Sequence, residues 1–233
     1  MLACLHPSVY KPRWHKVFIL AGLDDVVLST ETKEVRPAVT ELEEGKSKGK
    51  DRDQDIQQVM ESVFSKKLDH IVLLKQEDAR LLESKGFGIK EGDKYYLKDY
   101  EVLYLMYNDK LVVTKNKKKV PFTEYVSFAE TRDENAWTRF LVFRDLRSRG
   151  YVVREGFGFP IDFRVYDRGD YGIKAAKYIV FGLNEGKTMS VQELKTHIEE
   201  MSTMGKEAVV AVVERRGEVI YYKVGKWRPI KPL

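Results

Sequence analysis

The residues best suited to chemistry lie between Ala136 and Val180, in AWTRFLVFRDLRSRGYVVREGFGFPIDFRVYDRGDYGIKAAKYIV. Within this stretch Asp162 to Tyr166 reads as a strand, and side chains alternate between the two faces of a strand. If Phe163 and Val165 face a core, Arg164 and Tyr166 share the opposite face. A phenol and a guanidinium on an open face, with other basic groups nearby, suit a ligand that carries phosphate. The plainer reading is an ordinary strand tyrosine, since tyrosine is common in strands. Lys206 stands at the mouth of a second apolar run, Ala208 to Val213.

Other chemistries find no support. His6, His15, His70 and His197 are scattered, with no cysteine or close carboxylate beside them, so no metal site is expected. The single cysteine, Cys4, excludes an internal disulfide. There is no Walker loop, dinucleotide glycine motif or nucleophile elbow. Gly86-Phe87-Gly88 follows a helical run instead of preceding one, so it is no phosphate cradle. Asp162 and Asp167 fall on opposite faces of one strand, which argues against a metal held by clustered carboxylates.

The elements that position these residues can be read from periodicity and punctuation. Thr131 and Glu134 fit a capping box ahead of a helix. Trp137, Phe140, Leu141, Phe143 and Leu146 form its apolar side, and Arg139, Arg144, Arg147 and Arg149 the other. Gly150 fits a left-handed cap. Tyr151 to Val153 is a strand, and Gly156 and Gly158 mark a turn or bulge before the next. Tyr178 to Leu183 reads as a buried strand. Ser190 and Glu193 form a second capping box, for a helix lined by Val191, Leu194, Ile198 and Met201. Gly205 ends it, and Ala208 to Val213 pairs through Arg216-Gly217 with Glu218 to Val224.

The amino-terminal half has its own pattern. Lys16 to Ser29 reads as two strands around a turn, and Ile56 to Phe64 as a short helix. Strands are expected at His70 to Leu74, Lys94 to Leu97 and Leu111 to Val113. Helices are expected over Glu77 to Lys85, after a cap at Asp99, and over Pro121 to Glu130. Glu41 to Asp55 alternates charge without apolar periodicity and reads as a mobile insertion. Its lysines, Lys46, Lys48 and Lys50, could touch nucleic acid, but a solvated loop is the better reading; the basic turn at Lys115 to Lys119 reads equally as a phosphate contact or a solubilising hairpin tip.

Together these give an α/β chain of the α+β type. A small mixed amino-terminal domain (1–130) precedes a nuclease-like domain (131–233) with a mixed sheet flanked by helices. The chain has 233 residues and a net charge of +5, which fits an acidic partner such as RNA. No apolar run approaches membrane-spanning length, and the first residues lack a secretory core, so a cytoplasmic protein without membrane contact is expected.

These residues resemble the archaeal tRNA-splicing (tRNA-intron) endonucleases from about His70 to Val224. FLVFRDLRSRGYVVREGFGFPIDFRVYDRG resembles the family's central block, KYIV the strand that follows the family histidine, and GKEAVVAVVERRGEVIYYKV the closing hairpin. LLKQEDARLLESKGFGI and YYLKDYEVLYLMYNDKLVV resemble its amino-terminal domain. The resemblance implies RNA cleavage without cofactor or metal, at the bulge-helix-bulge motif of precursor tRNA. It implies a tyrosine as general base, a histidine as general acid and a lysine against the charge at phosphorus, leaving a 2′,3′-cyclic phosphate and a 5′-hydroxyl. Tyr166 matches the tyrosine and Lys206 the lysine. Arg164, Arg168, Lys174 and Lys177 are the basic residues expected to contact the RNA.

The histidine position holds Ala175, which has no proton to give. Losing a general acid typically costs about 10²–10⁴ in rate. Two readings follow: a non-catalytic subunit that joins a catalytic endonuclease subunit in a dimer or heterotetramer, or a catalytic-type subunit whose acid has been replaced. A non-cleaving RNA-binding or scaffold module is the competing class. The Glu218 to Val224 strand is a candidate edge for assembly.

Overall fold

The computed structural model describes residues 14–19, 56, 59–65, 70–73, 75–158 and 161–226. The charged insertion at 41–55 and the second strand expected before Ser29 lie outside the described residues. Strand β1 is Trp14–Ile19. An amino-terminal sheet is then built from β2 (Met60–Ser65), β3 (His70–Leu73), β4 (Ile89–Glu91), β5 (Lys94–Leu97), β6 (Leu111–Lys115) and β7 (Lys118–Lys119), in the order β4-β5-β3-β2-β6-β7. Helices α1 (Gln76–Ser84), α2 (Asp99–Tyr107) and α3 (Phe122–Arg132) accompany it. Helix α4 (Ala136–Ser148) leads into the second sheet, made of β8 (Val152–Gly158), β9 (Ile161–Tyr166), β10 (Tyr178–Asn184), β11 (Glu207–Val213) and β12 (Val219–Lys226). Helix α5 (Val191–Thr203) connects β10 to β11. The order is β1-β12-β11-β10-β9-β8, with β10 and β11 parallel and the β8–β9, β9–β10 and β11–β12 pairs antiparallel.

The second sheet is covered on both faces. Phe163, Val165, Val180, Val209, Ala211 and Tyr221 join the core that contains Phe140, Phe143 and Leu146 of α4. Ile179, Phe181, Val210 and Val224 pack with Ile198 and Met201 of α5. The capping box on α5 forms as its sequence requires: the Glu193 N–H donates to Ser190 Oγ at 3.1 Å, and the Ser190 N–H donates to Glu193 Oε2 at 2.9 Å.

Several expectations are corrected. Met60 to Ser65 is a strand, not part of a helix: Met60 and Ser62 are buried while Glu61 and Val63 are exposed, a period of two. Thr131 does not cap α4. It lies inside α3, where its hydroxyl donates to the Phe128 carbonyl, and Asn135 occupies the cap position. The cap of α2 is Lys98, whose N–H donates to Glu101 Oε2 at 2.9 Å. Asp99 instead accepts hydrogen bonds from Tyr125 Oη and Arg132. Arg147 is not on a solvent face but only 2% exposed. Strand β12 is not an open edge, because β1 pairs with it in parallel from Trp14↔Tyr221 to Ile19↔Lys226. The first described strand therefore belongs to the second sheet.

The two sheets share one continuous core. Tyr100 of α2 meets Phe143 and Phe163 with ring centroids at 5.0 Å and 5.1 Å. The Arg147 guanidinium lies 4.0 Å from the Phe87 ring centroid and donates from both terminal nitrogens to the Lys85 carbonyl at 3.0 Å. Arg154 Nη1 donates to the Gly86 carbonyl at 2.9 Å. Gly86 itself needs to be glycine: its φ is +76°, and a Cβ there would stand 2.5 Å from Val152 Cγ1 and 3.3 Å from Tyr171 Cε1.

Candidate functional site

Strand register brings the sequence candidates to one end of the second sheet. Val165 of β9 is opposite Tyr178 of β10, and Tyr178 is opposite Glu207 of β11. One step further along each strand, on the same side, stand Tyr166, Lys177 and Lys206. The backbone continues the ladder there: the Lys177 N–H donates to the Val165 carbonyl at 3.0 Å, and the Glu207 N–H to the Lys177 carbonyl at 3.1 Å. Lys206 Nζ then donates to the Ala176 carbonyl at 2.9 Å. Ala175, next to that carbonyl, is exposed. Tyr166, Lys206 and Ala175 are 40 residues apart at the extremes, yet pairing gathers them around a single loop, residues 167–177.

That loop is laced to itself. Lys177 Nζ pairs with Asp167 Oδ2 at 3.1 Å, and Lys174 Nζ with Asp170 Oδ1 at 2.9 Å. The Ile173 and Lys174 N–H groups donate to the Asp170 carbonyl at 3.0 Å and 2.8 Å. The Tyr166 ring meets the Tyr171 ring edge-on, with centroids 5.2 Å apart. Desolvation lowers the pKa of Lys177, but hydrogen bonds to Tyr178 and Asp167 outweigh it and the net shift is upward. Burial, reinforced by Tyr178 and Asp167, pushes the neighbouring Tyr151 up to about 12. Arg168, Lys174 and Lys177 of the loop are exposed.

The four expected RNA-contact residues differ in how they are held. Lys174 is exposed and its partner Asp170 lies within the same loop. Lys177 is fixed by Asp167. Arg164 donates from Nε to the Glu155 carbonyl at 2.9 Å, and its guanidinium lies 4.7 Å from the ring centroid of the exposed Phe157. Arg168 donates from Nε to the Arg149 carbonyl at 3.2 Å, with Nη2 on the same oxygen. The Phe157–Arg164 stack was not anticipated; it depends on β8 and β9 lying side by side, which brings residues seven apart together.

At the other end of β9 a carboxylate ties β9, β10 and α4 together. Asp162 accepts from Arg139 Nε at 2.8 Å through one oxygen and from the Gly182 N–H at 2.7 Å through the other. Burial raises its pKa, while Arg139 and the Gly182 amide oppose the rise. Asp162 is thus committed to structure. Among the described residues no group of three histidine, cysteine, aspartate or glutamate side chains could hold a metal ion. No helix among the described residues is long and apolar enough to cross a membrane.

The fold is of the mixed α/β class, with Tyr166 and Lys206 at one end of the second sheet. Comparison with known proteins narrows it. Residues 136–221 match the catalytic C-terminal domain of the tRNA intron endonucleases, and residues 60–126 match their N-terminal domain. The tRNA-splicing endonuclease of Methanococcus vannielii is 31% identical over 158 residues, covering 67% of this chain and 89% of that protein. That of Methanothermobacter thermautotrophicus is 30% identical over 164 residues, 69% of this chain and 95% of that protein. The Pyrococcus horikoshii enzyme is 28% identical over 145 residues, 62% and 84% of the two chains. The chain belongs to the tRNA intron endonuclease family.

Proposed function

We propose that this chain is the non-catalytic subunit of a heteromeric tRNA-splicing endonuclease, which docks on a catalytic subunit and helps hold the bulge-helix-bulge region of precursor tRNA. The observation that carries this reading is Ala175. In the proposed chemistry a base takes the proton of a ribose 2′-hydroxyl, the 2′-oxygen forms its bond to phosphorus, and the bond from phosphorus to the 5′-oxygen breaks. The departing oxygen must gain a proton to leave as a 5′-hydroxyl. Tyr166 would be the base and Lys206 the fixed cation against charge growing on the phosphoryl oxygens. At the third corner Ala175 is exposed and protonless. Metal takes no part in this scheme.

A second reading is favoured by a specific observation: Tyr166 and Lys206 are both kept, and a subunit freed from chemistry need keep neither. The chain would then be of the catalytic type, lacking only its acid. Cleavage of a bulge-helix-bulge precursor in EDTA separates the two. If Ala175→His cuts at both bulges and the unaltered chain does not, the second reading holds. If neither form cuts until a second subunit is added, the chain is an assembling subunit. Binding without cleavage under any of these conditions makes it an RNA-binding module, and failure to bind the precursor at all removes the splicing assignment.

A further inference from the structure

We infer that Arg168 is a positioning residue for the 167–177 loop, acting as a clamp between that loop and the C-terminal end of α4. The inference rests on the proposed function only in taking that loop as part of the working site. Arg168 directly follows Asp167, one residue past Tyr166, and its guanidinium reaches back to the carbonyl of Arg149, the C-terminal cap of α4. Carbonyls at a helix C-terminus lack intrahelical donors and carry the negative end of the helix dipole, so a cation there is favoured. Two nitrogens of one planar fork meet a single oxygen, which fixes direction as well as distance. Gly150 makes the approach possible: its φ is +84°, and a Cβ there would stand 2.5 Å from Arg168 Nε and 2.8 Å from Cζ.

The anchor on the other side is itself fixed. Arg149 Nε and Nη2 donate to the two carboxylate oxygens of Asp145 at 2.6 Å and 3.0 Å. Asp145 also accepts from Tyr221 Oη of β12 at 2.7 Å, and the Tyr221 ring is buried. A chain of bonds therefore runs from β12 through Asp145 and Arg149 to Arg168, and so to the loop that carries Ala175. Lys206 grips the same loop from β11 through the Ala176 carbonyl. Arg168 and Lys206 hold it near its two ends, and the Asp170–Lys174 pair stiffens its middle.

Two measurements on the full chain test this. Backbone amide exchange is followed in peptides spanning 167–177 and 207–213, and binding to a bulge-helix-bulge precursor tRNA is followed against salt. For Arg168→Ala, exchange at Ile173, Lys174 and Lys177 should rise at least about tenfold while β11 is unchanged. The clamp spends the guanidinium on the Arg149 carbonyl, contrary to the RNA contact expected of Arg168 from the sequence, so the salt slope of RNA binding should be unchanged. Arg168→Lys keeps the charge but not the fork, so it should restore RNA-independent loop order only in part. Gly150→Ala, which crowds the guanidinium off its seat, should loosen the loop with Arg168 still present. Loop exchange that stays slow while affinity falls and the salt slope drops by about one would make Arg168 an RNA contact and overturn the inference. Equal acceleration in loop and β11 would also overturn it, as a loss of general stability. Should the unaltered chain bind no precursor, the splicing assignment fails, yet the exchange data still decide the clamp.

Discussion

Tyr166 and Lys206 are held in different ways, and substitutions at the two positions should therefore separate chemistry from scaffolding. The Tyr166 ring rests edge-on against Tyr171, a contact that phenylalanine preserves. In whichever assembly cuts RNA through this site, Tyr166→Phe should leave the melting temperature unchanged and lower the single-turnover rate about 10²–10⁴-fold, as expected for a lost base. Normal cleavage by that variant would remove Tyr166 from the chemistry. Lys206 has a second duty, since its ammonium holds the Ala176 carbonyl. Lys206→Ala should slow cleavage about 10²–10³-fold, as for a lost oxyanion stabiliser, and also speed amide exchange at Lys177. Lys206→Arg keeps a cation and should recover much of the loop order. In the non-catalytic reading, both variants leave cleavage by the partnered enzyme unchanged, which discriminates the two readings at the scale of single side chains.

Among the elements, α5 offers a prediction that follows directly from its cap. Hydrogen bonds from the Ser190 N–H and hydroxyl hold the Glu193 carboxyl below its ordinary 4.5. A carboxylate with a lowered folded-state pKa contributes stability that is present above its unfolded value and lost as pH falls through the folded one. The difference in melting temperature between the unaltered chain and Glu193→Gln should thus be largest above the ordinary 4.5 and shrink as the pH falls below it. A difference independent of pH would mean the capping box matters through shape alone. This cap was readable in the sequence because both members lie within one turn. The same holds for the Asp162 to Tyr166 alternation and for the β11–β12 hairpin, each set by neighbours in the chain. The pairing of β1 with β12 was not readable, since nothing local in Trp14–Ile19 names a partner 207 residues away. The capping box assigned to Thr131 failed for a related reason. Asp99 binds Arg132 and Tyr125, and these distant contacts keep α3 helical through the point where local pattern would end it. Tyr166 and Lys206 were each visible as candidates, but their meeting at one sheet end depends on the β9–β10–β11 register.

At the scale of the whole molecule, the junction of the two sheets turns on Arg147, which helical periodicity alone assigns to water. Its charge is 2% exposed, stacked on Phe87 and spent on the Lys85 carbonyl. Glu101 lies in the same interior; burial raises its pKa, and the opposing influences include Arg154 and Arg147. Arg147→Met keeps an apolar stem of similar reach but removes the stacking cation and its two hydrogen bonds to the Lys85 carbonyl. A desolvated cation–π contact is worth about 2 kcal/mol and a hydrogen bond from a charged donor about 1.5–3 kcal/mol, so a loss of roughly 2–5 kcal/mol is expected. For a chain of this size each kcal/mol moves the melting temperature by about 2–4 °C. The effect should also have a direction in space. Gly86, beside the Lys85 carbonyl, abuts Tyr171, and Tyr171 abuts Tyr166. Loosening Arg147 should therefore raise amide exchange first at 85–88 and next at 167–177, while α5, on the other face of the second sheet, and β11, within it, remain protected. Uniform exchange across all four segments would show that the amino-terminal unit only adds stability; the graded pattern would show that it sets the position of the loop on which the site is built.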